Sequence, residues 1–124
     1  MRSPILAALV LLAACTRPVE PPGGRFAQEL AGHVAGAVQT CVPTFPSQNL
    51  RVIDPQTLAY GYGRTIYVNH LAAACPALSE YNTVISEVQG GQYCRGDRVR
   101  GLEPGGLIPG PTCNLGDWVP YRTP

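Results

Sequence analysis

The chain contains no lysine. Its nine basic residues are all arginine, and with abundant alanine, glycine and proline this is read as GC-rich coding bias rather than as a function. Charge is sparse, at 14 % of residues. Without Arg2 in the N-terminal segment, eight arginines balance eight acids. That zero balance gives no electrostatic argument for nucleic acid or for an anionic surface. No apolar run approaches the roughly 20 residues of a transmembrane helix. The cysteines never come as close as C-x₂-C, which argues against zinc, and neither Ser79 nor Ser86 sits in a G-x-S-x-G elbow. There is no internal repeat, and nothing implies a metal or another cofactor.

The N-terminus carries the strongest signal. Arg2, an apolar run over residues 5–12 and two small residues form the three regions of an export signal. Leu12, Ala13, Ala14 and Cys15 then match the lipobox of bacterial lipoproteins, in which the cysteine thiol takes a diacylglyceryl group and the new amino group is acylated, as by palmitate. Residues 1–14 are therefore expected to be a signal peptide, with Cys15 lipidated. Several acyl chains exceed what stable anchoring requires. Thr16, rather than Asp, follows the cysteine, which points to the periplasmic face of the outer membrane of a Gram-negative bacterium. Residues 15–24, rich in proline and glycine, read as the lipidated cysteine and a flexible tether. Residues 25–124 form one small domain.

Four cysteines remain: Cys41, Cys75, Cys94 and Cys113, at intervals of 34, 19 and 19 residues. An even set in a small exported chain reads as two disulfides, since so small a core benefits from cross-links in an oxidising compartment. Three connectivities are open. The preferred one is nested, Cys75–Cys94 inside Cys41–Cys113, closing a middle loop and tying the domain's ends together.

The expected fold is mainly β: a small antiparallel barrel or rolled sheet of about six short strands with an N-terminal helix, stabilised by disulfides. Phe26, Leu30, Val34 and Val38 recur every four residues and predict a helix over 26–39, weakened by Gly32 and Gly36. Strands are expected at 50–54, 58–62, 65–69, 82–89, 98–102 and 118–121, the first two joined by an Asp54-Pro55 turn. Residues 103–112, with three prolines and three glycines, predict a long loop.

Residues 41–121 resemble a bacterial family of small exported, cysteine-containing lipoproteins described only as a domain of unknown function. The resemblance lies in the opening cysteine, V-I-D-P-Q-T-L at 52–58, Y-V-N-H-L-A-A-A-C at 67–75, C-R-G-D-R-V at 94–99 and C-N-L-G-D-W-V-P at 113–120. It implies domain limits and a cysteine framework. It implies no activity.

Candidate chemistry is thin. His70 could serve as a base with Asp97 as its orienting acid, or with Cys94 as nucleophile, but a cysteine in a disulfide has no thiolate. Asp97 is more simply a turn residue accepting backbone N–H bonds or a partner of Arg95 or Arg98. The R-G-D tripeptide at 95–97 lies too near a bridge to be a free adhesion loop, and His33 reads as a boundary residue. Tyr60 and Tyr62 would share a strand face, with Tyr67 nearby, and could bind sugar or peptide, although core packing is the commoner fate of such rings. Arg98 and Arg100 would share another face, as a phosphate or acidic-glycan contact or as solvated strand. The function expected is a non-enzymatic binding or structural role towards an envelope protein or cell-wall glycan. The alternatives are a lipoprotein inhibitor of a cell-wall lytic enzyme, against which the absence of S-G-x-x-Y counts, and a small hydrolase using His70 and Asp97.

Overall fold

The computed structural model describes residues 24–88 and 90–124. The signal over 1–14, Cys15 and the tether up to residue 23 lie outside the described residues, as does Gln89. One short helix, α1 (Arg25–Glu29), precedes ten strands: β1 (Val34–Ala35), β2 (Cys41–Pro43), β3 (Arg51–Asp54), β4 (Thr57–Tyr60), β5 (Thr65–His70), β6 (Thr83–Glu87), β7 (Gln92–Cys94), β8 (Arg98–Leu102), β9 (Cys113–Asn114) and β10 (Trp118–Arg122). They are antiparallel throughout, in a five-stranded sheet of order β1-β10-β5-β4-β3, a β2-β7 pair and a three-stranded sheet of order β6-β8-β9. The mainly β expectation holds. The single six-stranded barrel does not: every expected strand forms, and β1, β2, β7 and β9 are added by pairing between residues distant in sequence.

The expected meander is present as β3-β4-β5. Its first turn is closed by Asp54 Oδ1, which accepts the Gln56 N–H at 2.8 Å and fixes the Asx geometry. Period-two alternation then divides the side chains of the central strands. Leu58 and Tyr60 point into the main core with Trp118, Val42, Leu78 and Val99, whereas Ala59, Ile66 and Val68 face the other way and are covered by Phe26 of α1. Because both faces are covered, every residue of β4 is buried. The main core draws on all three sheets, which is what makes them one body.

The helix predicted over 26–39 is cut to five residues. Gly32 takes φ 78° and turns the chain, so the four-residue stripe is never completed. Phe26 is buried, but Val34 and Val38 stand in solvent. Val34 and Ala35 pair instead with Arg122 and Tyr121, forming a two-residue outer strand on the large sheet. The sheet's other outer strand, β3, has a register shift between Val52 and Asp54. Both of its edges are therefore short or irregular.

Candidate functional site

The disulfide pairing differs from the nested expectation. Cys41 bonds Cys94, 53 residues away, and Cys75 bonds Cys113, 38 residues away. Cys41 and Cys94 sit directly opposite each other in the β2-β7 ladder, a juxtaposition that spacing along the chain does not reveal. Cys75, in the connection between β5 and β6, is fully buried in the main core. With both bridges made, Cys94 has no thiolate for a Cys-His dyad.

Arg51 organises the surface where α1 meets the large sheet. Its Nη1 and Nη2 donate to Glu29 Oε2 and Oε1 at 3.0 and 2.8 Å, a fork-to-fork pair, and Nη2 also donates to the Gly61 carbonyl at 2.9 Å. The guanidinium lies 4.1 Å from the centroid of the Tyr62 ring. Its Nε is buried with no partner among the described residues. Beside this cluster is a hollow of about 540 Å³ lined by Gly24, Arg25, Glu29, Arg51, Glu80 and Tyr81. The Tyr81 phenol is held above its ordinary value by its hydrogen bond to Glu80 and that residue's charge.

The tyrosine pair is divided rather than displayed. Strand β4 ends at Tyr60, and Gly61 at φ 87° swings the chain away, so Tyr60 and Tyr62 do not share a face. A Cβ at Gly61 would come within 2.8 Å of the Thr65 carbonyl. Tyr60 is wholly buried among Phe45, Tyr67, Tyr93 and Trp118, with ring centroids 5.1 to 6.4 Å apart. Its phenolic oxygen accepts the Phe45 N–H. Burial pushes that phenol up despite the opposing amide bond. Tyr62 is exposed, and so is Phe45, on the loop that packs beside Gly61. Sequence reasoning missed Phe45, whose ring lies parallel to Tyr60 at 6.3 Å and extends the aromatic cluster to the surface. Its neighbours Pro43, Thr44, Pro46 and Ser47 gave no strand period to draw attention to it.

Arg98 and Arg100 do lie on one face of β8, flanking buried Val99. Both are engaged: Arg98 pairs with Glu87 across the β6-β8 ladder at 2.6 Å, and Arg100 Nε donates to Thr112 Oγ1 at 2.9 Å. Arg95 lies 3.4 Å from Asp117. Asp97 accepts the Cys94 N–H at 2.7 Å and closes the β7-β8 turn, the backbone role foreseen for it, not an arginine pair. His70 ends β5 in solvent, and among the described residues no hydrogen bond joins it to Asp97. His33 Nε2 makes a 2.7 Å hydrogen bond with the Gly63 carbonyl. Ser79 Oγ donates to Asn82 Oδ1.

Among the described residues no group of three or more His, Cys, Asp or Glu could hold a metal ion, and no helix is long and apolar enough to cross a membrane. No family model, curated protein or solved structure matches the chain.

Proposed function

We propose that the protein is an exported, lipid-anchored envelope protein whose work is to bind a cell-wall glycan or another envelope protein rather than to turn over a substrate. The division of its cysteines carries this reading. Four are consumed in two bridges, which suit an oxidising compartment, and Cys15 alone is left over, in the sequence that would make it a lipid acceptor. The binding surface is Phe45 and Tyr62, two exposed rings on adjoining loops, with the Arg51 guanidinium stacked on Tyr62. Flat rings suit the apolar faces of sugars, and rigid aromatic anchors next to an arginine suit a protein partner equally.

Intact mass of the membrane-purified protein, before and after reduction and alkylation, tests the anchor and the bridges together. A mass without acyl groups at Cys15 overturns the anchor. Binding is read by sedimentation with isolated cell-wall sacculi and by crosslinking in cells from a photoreactive residue at position 62. Tyr62→Ala with Phe45→Ala should abolish whichever contact is seen. Alanine at His70 and Asp97 should leave the envelope phenotype of a folded protein unchanged. A lost turnover there would overturn the non-enzymatic reading.

A further inference from the structure

The loop between β8 and β9 is built to present two aliphatic side chains. Leu107 and Ile108 are 94 % and 87 % exposed, the most exposed large apolar residues described. The loop's base, by contrast, is clamped. The Gly110 N–H donates to the Gly101 carbonyl at 2.8 Å, the Gly106 N–H closes a turn onto Glu103, Thr112 accepts from Arg100, and Cys113 is bridged to Cys75. Gly101 and Gly110 press against Ala77: a Cβ on Gly101 would meet the Ala77 carbonyl at 1.8 Å, and one on Gly110 would meet the Ala77 Cβ at 2.5 Å. A firm base and a bare apolar tip mean that the tip is not simply a slack loop.

The tip's chemistry suits the boundary of a bilayer. Residues 104–116 carry no charge, and Pro104, Pro109 and Pro111 have no N–H to leave unpaired in a less polar medium. Its position suits it as well. The segment 76–82 contributes to the walls of two hollows. One, of about 490 Å³, is lined by Ala77, Ser79, Asn82 and Ile108, and the other is the hollow shared by Tyr81 and Gly24. Gly24 is where the chain from Cys15 enters the domain, and Tyr81 is 76 % exposed. The aliphatic tip, an exposed tyrosine of the kind that favours membrane interfaces, and the point of tether attachment thus flank one short segment.

We propose that this side of the domain lies against the bilayer, with Leu107 and Ile108 inserted at the level of the acyl chains and Tyr81 at the headgroups. The proposal rests on lipidation at Cys15 for its strength: two side chains bind too weakly alone, but the eight residues between Cys15 and Gly24 can extend no more than about 30 Å, which keeps the tip at high effective concentration beside the lipid. Glu80 and Glu103 flank the site, so the contact is apolar and needs no anionic lipid.

The test is Leu107→Trp in the full mature chain, reconstituted in phosphatidylethanolamine-rich vesicles with and without brominated acyl chains. The native Trp118 is fully buried and gives a constant background that the parent protein measures. Emission from position 107 should shift to the blue and lose most of its intensity to the brominated lipid, with no change on adding salt. Water-like, unquenched emission in a protein whose mass shows the acyl groups overturns the membrane contact and leaves the anchor standing. If the mass shows no acyl groups, the same protein is titrated with added vesicles: quenching at high lipid then supports the contact while the anchor falls, and no quenching overturns both. A blue shift in native membranes that brominated vesicles do not reproduce assigns the tip to a protein and overturns the proposal.

Discussion

Asn69 and Gly116 hold each other through two reciprocal hydrogen bonds. The Asn69 Nδ2 donates to the Gly116 carbonyl and the Gly116 N–H donates to Asn69 Oδ1, each at 2.8 Å, around a side chain with no solvent exposure. The amide thereby does for the chain before β10 what a ladder partner would do. Asn69→Ala should cost about 2–4 kcal/mol, because two partly buried backbone groups lose their partner, each worth about 1–3 kcal/mol less what solvent returns. Asn69→Asp should be no milder, since it keeps the acceptor but loses the donor and buries a charge. Urea denaturation measures both, and an alanine variant as stable as the parent would refute the role.

Gly116 has a second reason for its identity. A Cβ there would lie 1.9 Å from the His70 carbonyl, so Gly116→Ala must push β5 and the β9-β10 connection apart. A loss of about 2 kcal/mol or more is expected, in the range of overpacked cores. Gly105, where nothing lies within 4 Å, is the control for crowding, although its φ of 73° adds its own strain to Gly105→Ala.

Trypsin separates the observed disulfide pairing from the nested one, because the chain lacks lysine and no arginine lies between Cys75 and Cys94. Unreduced digestion should give one three-peptide complex, with residues 26–51 and 101–122 both bridged to 65–95. Nested pairing would instead release 65–95 as a self-closed peptide. Further cleavage at Glu80 and Glu87 should leave Cys41 with Cys94 and Cys75 with Cys113.

Arg51→Ala removes the clamp between α1 and β3 and should cost about 1–2 kcal/mol, the lower end for a charge-assisted pair because both side chains keep some solvent. Arg51→Lys should recover less than half, since an ammonium cannot make the forked contact or stack flat on Tyr62. Faster amide exchange confined to Leu30, Ala31 and His33, whose N–H groups bond within the α1 region, would locate the effect.

Alkaline pH should weaken the fold through Tyr60. Its phenol is raised above the ordinary value of about 10, chiefly by burial, so the folded chain keeps a proton that the unfolded chain gives up. The contribution is whole below about pH 10 and is lost as pH climbs through the folded value. Tyr60→Phe should start about 1 kcal/mol less stable, having lost the acceptor for the Phe45 N–H, and then decline less steeply above pH 10. Parallel stability curves would remove Tyr60 as the cause.

What the sequence disclosed was local. Strands β3, β4, β5, β6, β8 and β10 each carry their own alternation, and the Asx turn and the Gly/Pro loop carry their own chemistry. What it concealed was set by distant pairing. Strands β2 and β7 are three residues each and exist through the ladder that brings Cys41 opposite Cys94, so the same contact decided two missed strands and the cysteine connectivity. The helix failed because a stripe over 26–38 predicts a face only if the chain keeps turning, and Gly32 stops it. Tyr60 and Tyr62 were separated by one glycine whose positive φ an alternating pattern does not display.

The outer strands of the large sheet bear on crowding. β1 offers two residues of open ladder, and β3 breaks register between Val52 and Asp54. A long, flat edge would invite the same edge of a neighbouring copy to continue it, a hazard that rises with surface density. With both margins this abbreviated, the large sheet offers neighbouring copies little open ladder to extend.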